Sequence, residues 1–241
     1  MDSGLYVALS SQIALERRMN TLAHNVANIN TTGFRAGTVR FEEVLTGIQT
    51  KSPTFVNEGQ SYLRDINGGV EETGAALDFA IKGDAWFAVQ TPAGTVVTKD
   101  GRFRMLETGD LVTLDGHPVL DAGGAAIQLN AADGRPTVTG DGVITQNGAI
   151  VAGLGLYSYD PGPDFKRYGN SGIIAEKAPQ PIVDADNVGV LQGFLEESNV
   201  NPVGEMAKLI AVHRAFDNVA ALIRDSEGAL EEAIRTFGGG R

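Results

Sequence analysis

Two long apolar stripes, one at each end of the chain, constrain this sequence more than any other feature. Leu5, Ala8, Gln12, Leu15, Met19, Leu22 and Val26 follow alternating steps of three and four residues, the spacing of a helical seam. Asp2 or Ser3 can cap the start, whereas Asn28, Asn30, Thr31, Thr32 and Gly33 favour turns and end the helix. From Ser3 to Ala27 such a helix is roughly 37 Å long, at ~1.5 Å per residue. The far end mirrors this. Asn201 can cap, Pro202 suits the first helical position, and Glu205 falls where the helix dipole favours an anion. Leu209, Val212, Phe216, Val219, Ile223, Ser226, Leu230, Ala233 and Phe237 keep the three-four alternation until Gly238. Gly228 weakens this helix by about 1 kcal/mol relative to alanine.

Between the stripes the period changes. Trp86-Phe87-Ala88-Val89-Gln90 reads as a strand, and further short strands follow. They are punctuated by Asp100-Gly101, Asp115-Gly116, Asp141-Gly142 and Asn147-Gly148, dipeptides that supply positive φ for tight hairpins. The expected fold is therefore α+β: long N- and C-terminal helices pairing as a coiled coil, with a central antiparallel β domain. The expected divisions are a discontinuous helical domain of residues 1–34 with 196–237 and an extended connector over 35–76 containing a Phe41–Leu45 apolar patch. A β domain over 77–195 and a tail over 238–241 complete them.

An apolar stripe on a long helix has to be covered. Two stripes can cover each other, but Leu9, Ile13, Ile210 and Leu222 lie outside both seams and widen them. The expectation is that neighbours pack on further sides, so the chain is a subunit of a larger assembly. Its 19 basic against 30 acidic residues, a formal charge of −11, argue against nucleic acid as a partner, because that affinity rests on Lys and Arg meeting phosphates. The N-terminal residues lack the basic and apolar regions of a cleavable secretory signal. No apolar run approaches the ~20 residues that span a bilayer, so stable membrane insertion is not expected.

Catalytic, cofactor and metal sites are not expected either. Cysteine is absent. His24, His117 and His213 are spread over the first helix, a hairpin and the last helix, with no ligand spacing among them. Asp184-Ala185-Asp186-Asn187 begins like a calcium loop but continues with Val188 and Leu195 where acidic ligands belong. The adjacent pairs Glu42-Glu43, Glu71-Glu72 and Glu231-Glu232 diverge on helix and strand alike, so they form no catalytic dyad. The alternative is an enzyme or binding protein in the β middle, oligomerised by its helices. That reading requires a convergent polar pocket.

Specific residues then narrow the choice. Ala27-Asn28-Ile29-Asn30-Thr31-Thr32-Gly33-Phe34 resembles the signature that closes the N-terminal helix of flagellar rod and hook proteins. Leu195-Glu196-Glu197-Ser198-Asn199-Val200-Asn201, with Glu205-Met206 and Leu209-Ile210, is similar to that family's signature at the start of the C-terminal helix. Residues 77–87, Thr98-Lys99-Asp100-Gly101-Arg102-Phe103 and Gly109–Thr113 resemble its middle, with Lys99 where arginine is usual. The short connector between Phe34 and Ala80 looks most like the proximal-rod members. Distal-rod and hook members, the alternative axial subunits, carry longer connectors or larger middle domains.

The resemblance implies a structural subunit of the bacterial flagellar basal-body rod, transmitting torque across the periplasm. It would be exported by the flagellar type III apparatus without a cleavable signal, and its partners would be other rod subunits and neighbouring axial proteins. It also implies assembly interfaces at both ends. At the N-terminal end these are Leu5, Leu15, Met19, Leu22, Val26, Asn28, Thr31, Gly33 and Phe34. At the C-terminal end they are Ser198, Asn199, Val200, Glu205, Met206, Leu209, Phe216, Ile223 and Leu230.

Overall fold

The computed structural model describes residues 2–40, 59–183 and 187–238. The Phe41–Leu45 patch and the Asp184-Ala185-Asp186 segment lie outside the described residues. Two α-helices stand at the ends, α1 (Asp2–Ala27) and α2 (Pro202–Gly238). The strands begin with β1 (Gly37–Arg40), β2 (Gln60–Leu63), β3 (Val70–Glu72), β4 (Phe79–Lys82), β5 (Phe87–Thr91) and β6 (Gly94–Thr98). They continue with β7 (Phe103–Met105), β8 (Leu111–Thr113), β9 (Thr137–Val138), β10 (Val143–Gln146), β11 (Ala149–Gly153) and β12 (Tyr157–Ser158). The last are β13 (Arg167–Tyr168), β14 (Gly172–Ile174), β15 (Gln180–Pro181), β16 (Gly189–Gln192) and β17 (Phe194–Glu196). The chain divides into two compact units. The first holds residues 1–27, 37–62 and 201–241, and the second residues 28–36 and 63–200.

The expectation of terminal helices paired as a coiled coil around one antiparallel β domain is overturned. The described strands form many small antiparallel sheets: one of four strands (β13-β14-β6-β5), one of three (β11-β10-β9), and otherwise pairs such as β16-β4 and β17-β3. The described strands are only two to five residues long and several end at glycine-bearing turns, so their ladders close before a broad sheet can build. Among the described residues the helices form no long paired coiled coil. α1 has 26 residues against 37 in α2, and the described seam positions past Ile223 stand in the open, with Ser226 exposed and Phe237 88% exposed. Gln12, Ala8 and Ser226 put small or polar side chains where such a seam packs best with large apolar ones.

Local chemistry explains the elements that do form. In the first unit, Asn201 caps α2: its Oδ1 accepts the Gly204 N–H at 3.0 Å, and Pro202 follows at the position where a missing N–H does no harm. In the second unit the hydrophobic core is built from Phe79, Phe87, Val96, Phe103, Ile127 and Ile144 with their neighbours. Phe87 and Phe103 meet edge to face at 5.3 Å. Phe87, Ala88 and Val89 at the start of β5 are all buried, so that stretch reads as a short apolar run rather than an alternation. Gly116, Gly142 and Gly148 take the positive φ their Asp-Gly or Asn-Gly pairs demand. Gly101 does not. It is glycine because a Cβ there would lie 1.8 Å from the Phe79 carbonyl oxygen.

Candidate functional site

Within the second unit, the three segments singled out by their sequence meet at one junction. Thr31 donates through its hydroxyl to Asn28 Oδ1 (3.1 Å), and the Phe34 N–H donates to the Thr31 carbonyl (3.1 Å), folding residues 28–34 into a tight turn. Gly33 takes φ +66 and donates its N–H to the Glu196 carbonyl at 2.7 Å. A Cβ on Gly33 would sit 2.3 Å from Asp100 N and 2.4 Å from Lys99 C. The signature turn is thus pressed against the Thr98–Phe103 segment. That segment is itself held by Asp100, which accepts hydrogen bonds from Nε and Nη2 of the Arg102 side chain at 2.9 and 2.7 Å. This doubly bonded pair holds the Arg102 guanidinium above its usual pKa range, the hydrogen bond being the main cause.

Asn199 closes the junction from the third segment. Its N–H donates to the Phe34 carbonyl (3.2 Å), its Oδ1 accepts the Ala36 N–H (2.7 Å), and its Nδ2 donates to the Ile66 carbonyl (2.7 Å). One side chain thereby ties two other stretches of backbone, and aspartate could not replace it, since it would lose the donor. Phe34, Ala36 and Val200 form a small apolar core beside it.

Charge is buried here as well. Glu196 is 1% exposed, and its Oε1 accepts the Gly68 N–H at 3.0 Å and lies 3.4 Å from Arg35. Its Oε2 lies 3.9 Å from the Lys99 ammonium. Arg35 also donates to the Ile66 carbonyl and to Asn67 Oδ1. The Trp86 ring lies against both cations, 5.6 Å from the Arg35 guanidinium and 5.4 Å from the Lys99 ammonium. Arg167 donates to the Arg35 carbonyl at 2.7 Å and sits 4.5 Å from the Phe34 ring, and burial pushes its pKa down to about 10. Such a cluster adds little net stability, but removing Glu196 leaves Arg35 enclosed without its acid.

The first unit has its own buried polar link. Asn25, on α1, donates to the Gly37 carbonyl and accepts the Gly37 N–H, both at 2.9 Å, copying the two bonds of a strand pair. The same Nδ2 reaches Glu205 Oε2 on α2 at 3.0 Å, and Lys208 pairs with Glu205 Oε1 at 2.9 Å. Asn25 and Glu205 are both 0% exposed.

The sequence-derived site residues fall into four groups. Asn28, Thr31, Gly33, Phe34, Ser198, Asn199 and Val200 are brought together at the junction, where Ser198 Oγ accepts the Val200 N–H (3.3 Å). Leu22 is buried on α1, and Leu15, Met19, Val26, Leu209, Phe216 and Ile223 are partly covered. Glu205 is buried in the polar link, whereas Met206 is 47% exposed. The Leu5 and Leu230 side chains lie outside the described residues. Sequence reasoning passed over Asn25, Arg35 and Arg167, and gave Trp86 and Lys99 no place among the site residues. Asn25 had a signal, as a polar residue on the buried face of a helix, three residues after Leu22.

A cleft of about 390 Å³ on the second unit is lined by Thr98, Asp100, Arg102, Asp115, His117 and Tyr168, among others. His117 Nε2 and the Tyr168 hydroxyl share a hydrogen bond at 3.1 Å, and Asp100 is already bound by Arg102. Among the described residues no group of three or more His, Asp or Glu is placed to hold a metal ion. No described helix is long and apolar enough to cross a membrane.

The chain is similar to known proteins along its length. Residues 5–35 match the flagella basal body rod protein family, residues 80–152 the flagellar hook protein FlgE/F/G D1 domain, and residues 191–236 the flagellar basal body rod FlgEFG protein C-terminal family. It is 57% identical over 241 residues to the flagellar basal-body rod protein FlgF of Rhizobium meliloti (strain 1021), covering 100% of both chains. It is 56% identical over 238 residues to FlgF of Mesorhizobium japonicum, covering 99% of both. The flagellar basal-body rod protein FlgG of Bacillus subtilis (strain 168) is 29% identical over 263 residues, covering 97% of this chain and 98% of its own.

Proposed function

Because the chain belongs to the flagellar basal-body rod protein family, we propose that it is a structural subunit of the proximal rod, most like FlgF. One observation carries the reading from sequence to structure. The three family segments, matched separately along the chain, supply Gly33, Lys99 and Glu196, and the fold brings these together in one junction. The role is mechanical rather than catalytic. In the polar cleft Asp100 is tied to Arg102, which fits a fold-holding task better than proton transfer.

Partners are other flagellar axial components, and location is the basal-body rod. Leu9, Ile13, Ile210 and Leu222 are 49%, 46%, 54% and 65% exposed, an apolar surface that neighbouring subunits would cover. In this reading the partly covered Leu15, Met19, Phe216 and Ile223 complete the assembly interface, torque passes through these helices, and the flagellar type III export apparatus delivers the subunit. The net charge of −11 supports protein rather than nucleic-acid neighbours.

Leu15→Asp and Ile223→Asp test the proposal in cells. Each places a charge on a helix face meant for a neighbour. Swimming should be lost and the subunit should be missing from isolated basal bodies, while the purified variant keeps a folded second unit. Normal motility in both variants would overturn the assignment.

A further inference from the structure

Lys99 follows β6 and its side chain is 0% exposed. Its ammonium has three donors, yet among the described residues its one hydrogen bond runs to the Gly83 carbonyl at 3.4 Å. The nearest carboxylate oxygen, Glu196 Oε2, is 3.9 Å away and accepts no hydrogen bond among the described residues. Arg35 holds the other oxygen of the same carboxylate at 3.4 Å. Two cations therefore share one acid where water does not reach, and both face the Trp86 ring. Asp84 and Asp65 act on Lys99 at longer range and favour its charge, while Arg35 opposes it. A buried ammonium with so little compensation is disfavoured against the neutral amine.

We propose that Lys99 is a pH-responsive element of the signature junction, losing its proton in the folded protein under weakly alkaline conditions and thereby tightening the junction. Burial pushes the Lys99 pKa down from 10.5 to about 8, with Glu196 pulling the other way. Below that value the folded and unfolded chains both carry the proton, and the folded state bears the full penalty of an enclosed charge. Between about 8 and 10.5 the unfolded chain alone remains protonated, so stability rises with pH across that window. Glu196 then keeps Arg35 and the Gly68 N–H as partners. The inference rests on the junction alone and is independent of the assignment to the rod.

Trp86 is the chain's one tryptophan, so its fluorescence reads this event directly. Its emission should titrate with a midpoint near 8 in the wild-type protein and not in Lys99→Met or Lys99→Arg. Between pH 7 and pH 9, the unfolding equilibrium constant from urea titrations should fall about tenfold more in wild type than in either variant. Arginine keeps its charge throughout, so Lys99→Arg carries the comparison if the methionine variant does not fold. Carbon-13 NMR of lysine Cε in wild type supplies a readout without substitution, one lysine titrating near 8 being expected. The same pH response in wild type and Lys99→Arg, or every lysine titrating near 10.5, would overturn the proposal.

Discussion

Gly33→Ala separates two effects that are usually merged. Gly33 and Gly74 take nearly the same backbone conformation, φ +66 and φ +68. Alanine at either site incurs the left-handed penalty of about 1–2 kcal/mol. At Gly74 nothing lies within 4 Å of the new methyl group, so the effect ends there. At Gly33 the methyl would lie 2.3 Å from Asp100 N and 2.4 Å from Lys99 C, and neither atom belongs to a side chain that can rotate away. Relief requires the two segments to part by on the order of 1 Å. That opening breaks the 2.7 Å bond from Gly33 N–H to the Glu196 carbonyl, about 1 kcal/mol, and loosens the packing around the buried charges. Gly33→Ala should therefore destabilise the second unit by about 3–5 kcal/mol, a large share of a typical domain's total. Gly74→Ala should cost about 1–2 kcal/mol. Urea denaturation followed by Trp86 fluorescence reports on the unit that holds both sites. Equal midpoints for the two variants would refute the close-approach argument.

Glu196→Gln keeps the size of the side chain but removes the charge that faces Arg35 and Lys99. It should lower stability by about 3–5 kcal/mol in the same assay, since it leaves the enclosed Arg35 guanidinium, which cannot shed its charge, without an anion. The helices invite a separate measurement. With so much apolar surface exposed, their stability has to come from neighbours, so amide hydrogen exchange on purified monomer should be fast across 5–26 and 209–237 and slow in the β5–β6 hairpin. Strong protection of both helices without oligomers would refute this.

Much of the architecture was legible in local sequence. Asn201-Pro202 marked where α2 starts and Asn28–Gly33 where α1 ends, because capping and turn formation depend on residues a few positions apart. Asp141-Gly142 and Asn147-Gly148 announced their turns for the same reason. Asp100-Gly101 misled: its glycine answers to Phe79, twenty-two residues earlier in the chain, and no local rule carries that information. The heptad pattern misled too. Spacing shows which face of a helix is apolar, but not whether a second helix matches it over its full length.

By itself, the sequence determined the two terminal helices, where α1 stops and α2 starts, and the family to which the chain belongs, since these follow from residue type and short-range order. Only the tertiary structure decided that the strands would split into small sheets, that Asn25 would reach Gly37 and Glu205, and that Arg35, Lys99 and Glu196 would share one dry site beside Trp86. The reason is physical. Burial and distance between charges are properties of the packed chain, and Arg35 and Glu196 become neighbours only when segments 161 positions apart close on each other.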